Sequence, residues 1–207
     1  MKTIAITIIF IVLLTGMGST VNCQQKSQFL SITLYNHSFS SQLFTKPQNL
    51  SFSIEYNFGI NKKVRNQWFV PIVFNFINHQ YVYNAFGLST GIRYKYNSKY
   101  GIVAGSGFTI GYLRSFDKYQ RYAKNSQGKY EKAPDAGRGS LLPALNVQLG
   151  YDFSHKTNLP IELFIRYQLA VQMPFIKDVA GLITYMGFQF GVSYFPFKNE
   201  KKTKNSN

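Results

Sequence analysis

From about residue 28 onward, apolar and polar side chains alternate with a period of two. Between Leu50 and Ile60 the even positions are Leu50, Phe52, Ile54, Tyr56, Phe58 and Ile60, and the odd ones are Ser51, Ser53, Glu55, Asn57 and Gly59. Successive side chains of a strand point to opposite faces, so this period predicts strands with one apolar and one polar face. Seven further segments repeat it. Leu30, Ile32 and Leu34 oppose Ser31, Thr33 and Tyr35; Trp68, Val70, Ile72, Phe74 and Phe76 oppose a mixed face. Phe86 to Tyr96, Ile102 to Tyr112, Leu145 to Phe153, Ile161 to Val171 and Met186 to Tyr194 complete the set. The total of eight is even, as a closed up-and-down antiparallel barrel of the bacterial outer-membrane kind requires.

Alternation does not say which face is inside, because a soluble barrel alternates too, with its apolar face inward. Volume separates the two. The apolar face is crowded with Phe, Tyr, Leu, Ile and Trp, whereas the other is mostly Gly, Ser, Asn, Gln and Thr. An eight-stranded barrel has an interior just wide enough for side chains to fill. The small polar set fits there and the large set would overfill it, so the apolar face points outward into lipid. Many runs reach about 10 residues, the span of a tilted membrane strand. None of the eight acidic residues falls on the outward parity within a strand. Arg114 does, at a strand end from which its head can reach the interface. Tyr56, Trp68, Tyr94, Tyr96, Tyr100, Tyr151, Phe153 and Tyr194 gather near one set of strand ends, as an interfacial aromatic girdle would. The expected architecture is an all-β, eight-stranded antiparallel transmembrane barrel with a polar, filled lumen.

The ends of the chain read differently. In residues 1–23, Lys2 precedes an apolar run from Ile4 to Leu14 that is too short to span a bilayer as a helix, followed by small and polar residues. This is the pattern of an export signal peptide. Cys23, the only cysteine, lacks the small residues that precede a lipidated one, so neither a lipid anchor nor a disulfide is expected. Residues 24–197 are assigned to the barrel and 198–207 to a basic polar tail. Short turns at Asn61–Asn66, Asn97–Lys99 and His155–Leu159 alternate with connections at Asn36–Gln48, Asn78–Tyr81, Asp117–Gly139 and Pro174–Gly181, most of them longer. That asymmetry puts the short turns in the periplasm and the long loops outside. A net charge of +15 would suggest nucleic acid in a cytosolic protein. In an exported one it points to anionic lipid and lipopolysaccharide phosphates instead.

The signal segment, the eight alternating segments and a last strand from Gly187 to Phe197 together resemble the small outer-membrane β-barrel proteins of the OmpA and OmpX kind. The resemblance covers nearly all of the mature chain and implies residence in the cell outer membrane. It departs at the C-terminus, where Phe197 is followed by a polar tail rather than ending the chain.

Two groups of residues are candidates for function. By parity, Glu55, Asp152 and Glu162 point inward together with Arg93, Lys95 and Arg166. Unpaired buried charges are costly, so these six are expected to pair into a plug that fills the lumen; a polar translocation path is the alternative. The loop Asp117–Gly139 carries Lys118, Arg121, Lys124, Lys129, Lys132 and Arg138 among Tyr119, Tyr122 and Tyr130, a candidate extracellular contact surface for lipopolysaccharide or a protein partner. Catalysis is not expected. Barrels of this kind include lipid A-modifying enzymes, and their deacylase pattern resembles His-x-Ser-Asn, but here Ser38 directly follows His37, which puts the two on opposite faces. Three dispersed histidines show no metal-ligand spacing, and nothing calls for a cofactor.

Overall fold

The computed structural model describes residues 28–38, 50–61, 63, 65–80, 82–120, 122–124, 127–132, 137–157, 159–174 and 181–196. The segment assigned to export, Cys23, Phe197 and the tail lie outside the described residues. The described residues form eleven strands: β1 (Gln28–Ser38), β2 (Leu50–Gly59), β3 (Asn66–Asn78), β4 (Tyr83–Asn97), β5 (Ile102–Asp117), β6 (Tyr122–Lys124), β7 (Tyr130–Lys132), β8 (Arg138–Leu141), β9 (Ala144–Asp152), β10 (Ile161–Gln172) and β11 (Ile183–Tyr194).

Each wall strand pairs antiparallel with its sequence neighbour, and β1 pairs with both β2 and β11, which closes the sheet. β8 and β9 are one stave. Both pair with β5 in an unbroken register, Tyr112 opposite Leu141 and Thr109 opposite Ala144. Between them Gly111 and Leu142 exchange both backbone hydrogen bonds, at 3.1 and 2.8 Å. Only Pro143, which has no N–H, interrupts the ladder. β6 and β7 stand apart as a two-stranded ribbon. The wall therefore has eight staves in up-and-down order, with both ends of the described chain at one rim, here called the near end.

The outward parity is mostly apolar: Ile32, Leu34, Phe52, Ile54, Phe74, Leu88, Ile92, Phe108, Ile110, Val147, Leu149, Ile165, Phe190 and Val192 are all exposed, with Thr90, Ser106 and Arg114 among them. The aromatic girdle lies at the near end, where Trp68 packs on Tyr94 (5.0 Å between ring centroids) and Tyr151 on Phe153 (5.1 Å). Phe153 does not extend the sixth alternating segment as expected. It opens a 3-10 turn, Phe153–His155, in which the Ser154 N–H is capped by the Asp152 side chain.

Two loop boundaries move. β1 continues to Ser38, three residues into the segment expected to be loop. The Asp117–Gly139 connection is shorter than expected because β8 already begins at Arg138, and the ribbon β6–β7 lies within it. The lumen also differs from a uniformly small, polar filling. Phe29, Phe69 and Phe164 are buried inside, as are Tyr35, Ile77, Tyr83, Leu113, Leu142 and Tyr185, which pack together toward the far end.

Candidate functional site

Five of the six inward charges form one hydrogen-bonded chain across the middle of the lumen. Glu55 on β2 receives Arg93 Nη1 of β4 on Oε2 at 2.5 Å, and Arg166 of β10 on both oxygens, Nη2 reaching Oε2 at 3.2 Å. Arg166 also donates to Gln148 Oε1 through Nη2 (2.9 Å) and Nε (3.2 Å). Gln148 Nε2 in turn donates to Glu162 Oε1 at 3.0 Å, and Lys95 Nζ to Glu162 Oε2 at 2.5 Å. All five charged side chains are buried. The path from Arg93 to Lys95 thus runs through Gln148, whose parity is inward but which carries no charge to single it out in the sequence. Gln189 is a second such residue: it accepts from Arg166 Nη1 at 3.3 Å and donates to Gln168 at 2.5 Å.

Asp152 is the exception. It sits at the near rim, half-buried, and its Oδ1 accepts from the backbone N–H of Ser154 at 2.9 Å. Its place is a turn cap, because β9 ends there and the chain must reverse within a few residues.

The chain of charges is closed above and below. Toward the near end the Lys95 ammonium lies 4.7 Å from the ring centroids of both Phe29 and Phe195 and 5.9 Å from that of Phe69. The negative ring faces and Glu162 together replace the water that a buried ammonium loses. Toward the far end, Tyr83, Tyr185 and Gln172 share a hydrogen-bonded cluster, and Gln172 Nε2 donates to Ser140 Oγ at 3.0 Å and Ser115 Oγ at 3.4 Å. The space left is slight. A void of about 10 Å³ borders Glu55, Arg93 and Arg166, and one of about 30 Å³ borders Tyr35, Gln168 and Tyr185. These hold about one or two waters each.

Large inward side chains fit because small ones face them. Arg93 is in register with Gly107, where a methyl group would lie 3.1 Å from Arg93 Cγ. Phe164 is in register with Gly150 on one side and Gly191 on the other, and Arg166 stacks 4.8 Å from its ring. Local glycines thus make room for a filling that composition alone makes look too large.

The far-end loop is partly built into the wall. Arg138 lies in β8 and pairs with Asp117 at 2.6 Å, both partly buried, so it belongs to the rim rather than to the loop surface. Lys118 Nζ donates to Asn78 Oδ1 at 2.7 Å and to the Gln80 carbonyl at 3.2 Å. Lys129, Lys132, Tyr122 and Tyr130 are exposed on or beside the ribbon, where Tyr122 is in register with Lys132 and Lys124 with Tyr130. Arg121 lies outside the described residues. His37 is in β1 opposite Gly187, and Ser38 is opposite Met186; their side chains are not among the described ones. Among the described residues no group of three His, Cys, Asp or Glu could hold a metal.

His79, in the turn after β3, is buried against Tyr83 (5.9 Å, near-parallel rings). Burial holds its imidazole below the usual value of 6.5, and the nearby Lys118 ammonium pushes the same way. A histidine whose folded value is depressed takes up its proton more readily when unfolded. The barrel should therefore keep full stability above pH 6.5 and lose some as pH falls below it. Urea midpoints in detergent between pH 8 and pH 5 test this, with His79→Gln expected to flatten that region of the profile. An unchanged profile in the variant would rule His79 out as the cause.

No protein-family model matches the chain, and no curated protein matches it. Among solved structures it is similar to Neisserial surface protein A, with a TM-score of 0.52 at 10% identity over 82% of this chain and 96% of that one. The outer membrane enzyme PagL aligns at a TM-score of 0.46 and 7% identity, over 79% of this chain and 97% of that one. Ail, the attachment invasion locus protein of Yersinia pestis, aligns at 0.43 and 10%, over 83% and 99%. Identities this low speak for the fold alone.

Proposed function

We infer that this chain, which has the fold of the small eight-stranded outer-membrane β-barrels, resides in the outer membrane as a closed barrel with a structural or interaction role. On this reading residues 1–23 are an export signal and 198–207 a polar tail at the periplasmic side. The near end then faces the periplasm and the far-end loop the exterior. The role is assigned to the exterior rather than to a catalytic step. Exposed Tyr122, Tyr130, Lys129 and Lys132 form a basic, aromatic surface suited to lipopolysaccharide phosphates or to a protein partner.

The observation that carries closure is the filled lumen: the chain from Arg93 through Glu55, Arg166 and Gln148 to Glu162 and Lys95, with phenyl rings below it and tyrosines above. Each of these charges is held by at least one partner inside the lumen, and the voids bordering them, of about 10 and 30 Å³, have room for a water or two rather than a hydrated ion. The detergent-folded protein, reconstituted in planar bilayers, should show no ion conductance. A reproducible open channel would overturn closure and favour the pore or transport-accessory reading. In that case Arg93→Ala or Glu162→Ala should alter the conductance itself.

A further inference from the structure

The charge at the near rim has no place in the closed-barrel role just proposed. The three connections there, residues 60–66, 97–101 and 153–160, contain no aspartate or glutamate. Among the described residues they present Lys63, Arg65, Lys99 and Lys156, all exposed. The two acids that adjoin them in sequence are engaged elsewhere: Asp152 caps its own turn at 2.9 Å from Ser154 N, and Glu162 holds Lys95 inside the lumen at 2.5 Å. The cations are spread over three separate turns around the rim rather than gathered in one patch.

The aromatic girdle lies directly beneath them. Trp68 and Tyr94 pack together, and Tyr94 Oη donates to Asn66 Oδ1 at 2.7 Å, tying the girdle to the first turn. Lys99 Nζ lies 4.9 Å from the Tyr100 ring centroid. Amphipathic rings settle where hydrocarbon meets headgroups. Arg65 is three residues from Trp68, which at about 3.3 Å per residue puts its Cα within about 10 Å of that level. A ring of cations at this height meets phosphates one by one around the barrel. Its spacing suits an annulus of lipids better than one compact polyanion.

We propose that the near rim is a docking surface for anionic glycerophospholipid headgroups of the leaflet facing the chain termini. The proposal rests on the membrane-spanning reading given above. It adds a lipid preference at the end opposite the basic loop. One lysine or arginine at a charged membrane surface corresponds to about fivefold enrichment. The preference should reach at least that at low salt and fade toward parity near 1 M salt, where the screening length falls to about 3 Å.

Trp68 is the chain's only tryptophan, faces outward and sits at the girdle, so it reports on the lipids beside this rim. The full chain is reconstituted in vesicles containing phosphatidylglycerol and phosphatidylcholine, with the acyl chains of one or the other brominated at equal mole fraction. Brominated phosphatidylglycerol is expected to quench Trp68 more strongly, equivalent to about fivefold local enrichment at low salt. The combination Lys63→Glu, Arg65→Glu, Lys99→Glu and Lys156→Glu should abolish the preference, whereas Lys129→Glu with Lys132→Glu at the far end should leave it. The milder pair Lys63→Gln and Lys99→Gln should reduce it by a smaller factor and serves if the quadruple variant fails to fold. Glycerol phosphate added in solution should not reduce it, since the site takes the headgroup in the bilayer. Equal quenching by the two lipids, or a preference that survives the rim substitutions, overturns the proposal while leaving the barrel reading intact. Absence of any quenching of Trp68 by both lipids overturns the membrane-spanning reading, and the proposal with it.

Discussion

Replacing Glu55 by glutamine is expected to destabilise the barrel by about 3–5 kcal/mol, the range seen when one partner of a buried ion pair is removed. Glu55 takes Arg93 on one oxygen and Arg166 on both, and all three side chains are almost fully buried. Among the described residues the lumen holds two acids, Glu55 and Glu162, against three bases, Arg93, Lys95 and Arg166, a net charge of +1. Glutamine preserves shape but keeps only one of the two accepting oxygens, raises that net charge to +2 and leaves two guanidinium groups facing a neutral amide. Removing Arg166 as well restores the balance. The double variant Glu55→Gln, Arg166→Gln should therefore unfold in urea at a higher concentration than Glu55→Gln alone, although it carries one more substitution. Such a negative coupling is the mark of a charge effect between contacting residues. If the double variant is no more stable than the single one, Glu55 acts through its shape and not its charge, and the ion-pair account of the plug fails.

The plug is only partly legible in the sequence. Parity alone places Glu55, Arg93, Lys95, Glu162 and Arg166 on the inner face, because a strand allows just two directions. It cannot show that Asp152 serves a turn, since a parity rule has no meaning once the strand has ended. Gln148 and Gln189 are inward by the same rule but carry no charge, and uncharged linkers give no signal in a single sequence. Side-chain volume leads to the right orientation by an incomplete route. The inner face is not small everywhere: Phe29, Phe69, Phe164 and Tyr185 are inside. What keeps the filling within bounds is local, a glycine in register beside a large residue, as Gly107 is beside Arg93 and Gly191 beside Phe164. Cross-strand register decides such matches, and register follows from the closed sheet rather than from any one segment. The far-end loop shows the same limit. Arg138 reads as one more loop cation, but the wall resumes at that residue and Asp117, at the end of β5, lies close enough to pair with it.

Alanine at Gly91 should be the most damaging single methyl group that can be added to the wall. Gly91 is not among the glycines with positive φ, so its backbone conformation is open to any residue and only space can demand glycine there. That space is missing. A Cβ would lie 2.1 Å from the Phe108 carbonyl oxygen and 2.7 Å from Thr109 Cα, both backbone atoms of β5. The cause lies on the opposite side of β4. By register Gly91 faces Pro71 of β3, and the β3–β4 ladder omits that pair and its neighbour, Val70 with Ile92. Pro71 has no N–H to offer β4, whereas the β4–β5 ladder runs without a break through Gly91 and Thr109. The strand is thus paired to β5 alone at this point, and the short approach to Phe108 and Thr109 is on that side. A methyl group there must force apart β4 and β5, strands whose usual separation is about 4.8 Å, with no side chain able to yield. The expected cost is at least about 3 kcal/mol, the upper end of the range for overpacking, read as a fall in the urea midpoint and in refolding yield into detergent. Gly191→Ala supplies the contrast. Its nearest obstacle is the Phe164 ring edge, 2.3 Å from the new Cβ, a side chain that can be shortened. Phe164→Leu should therefore recover stability in the Gly191→Ala background, whereas no side-chain substitution on β5 should rescue Gly91→Ala. Wild-type folding of Gly91→Ala would mean that β4 is not pressed against β5, and that Pro71 leaves the wall evenly spaced.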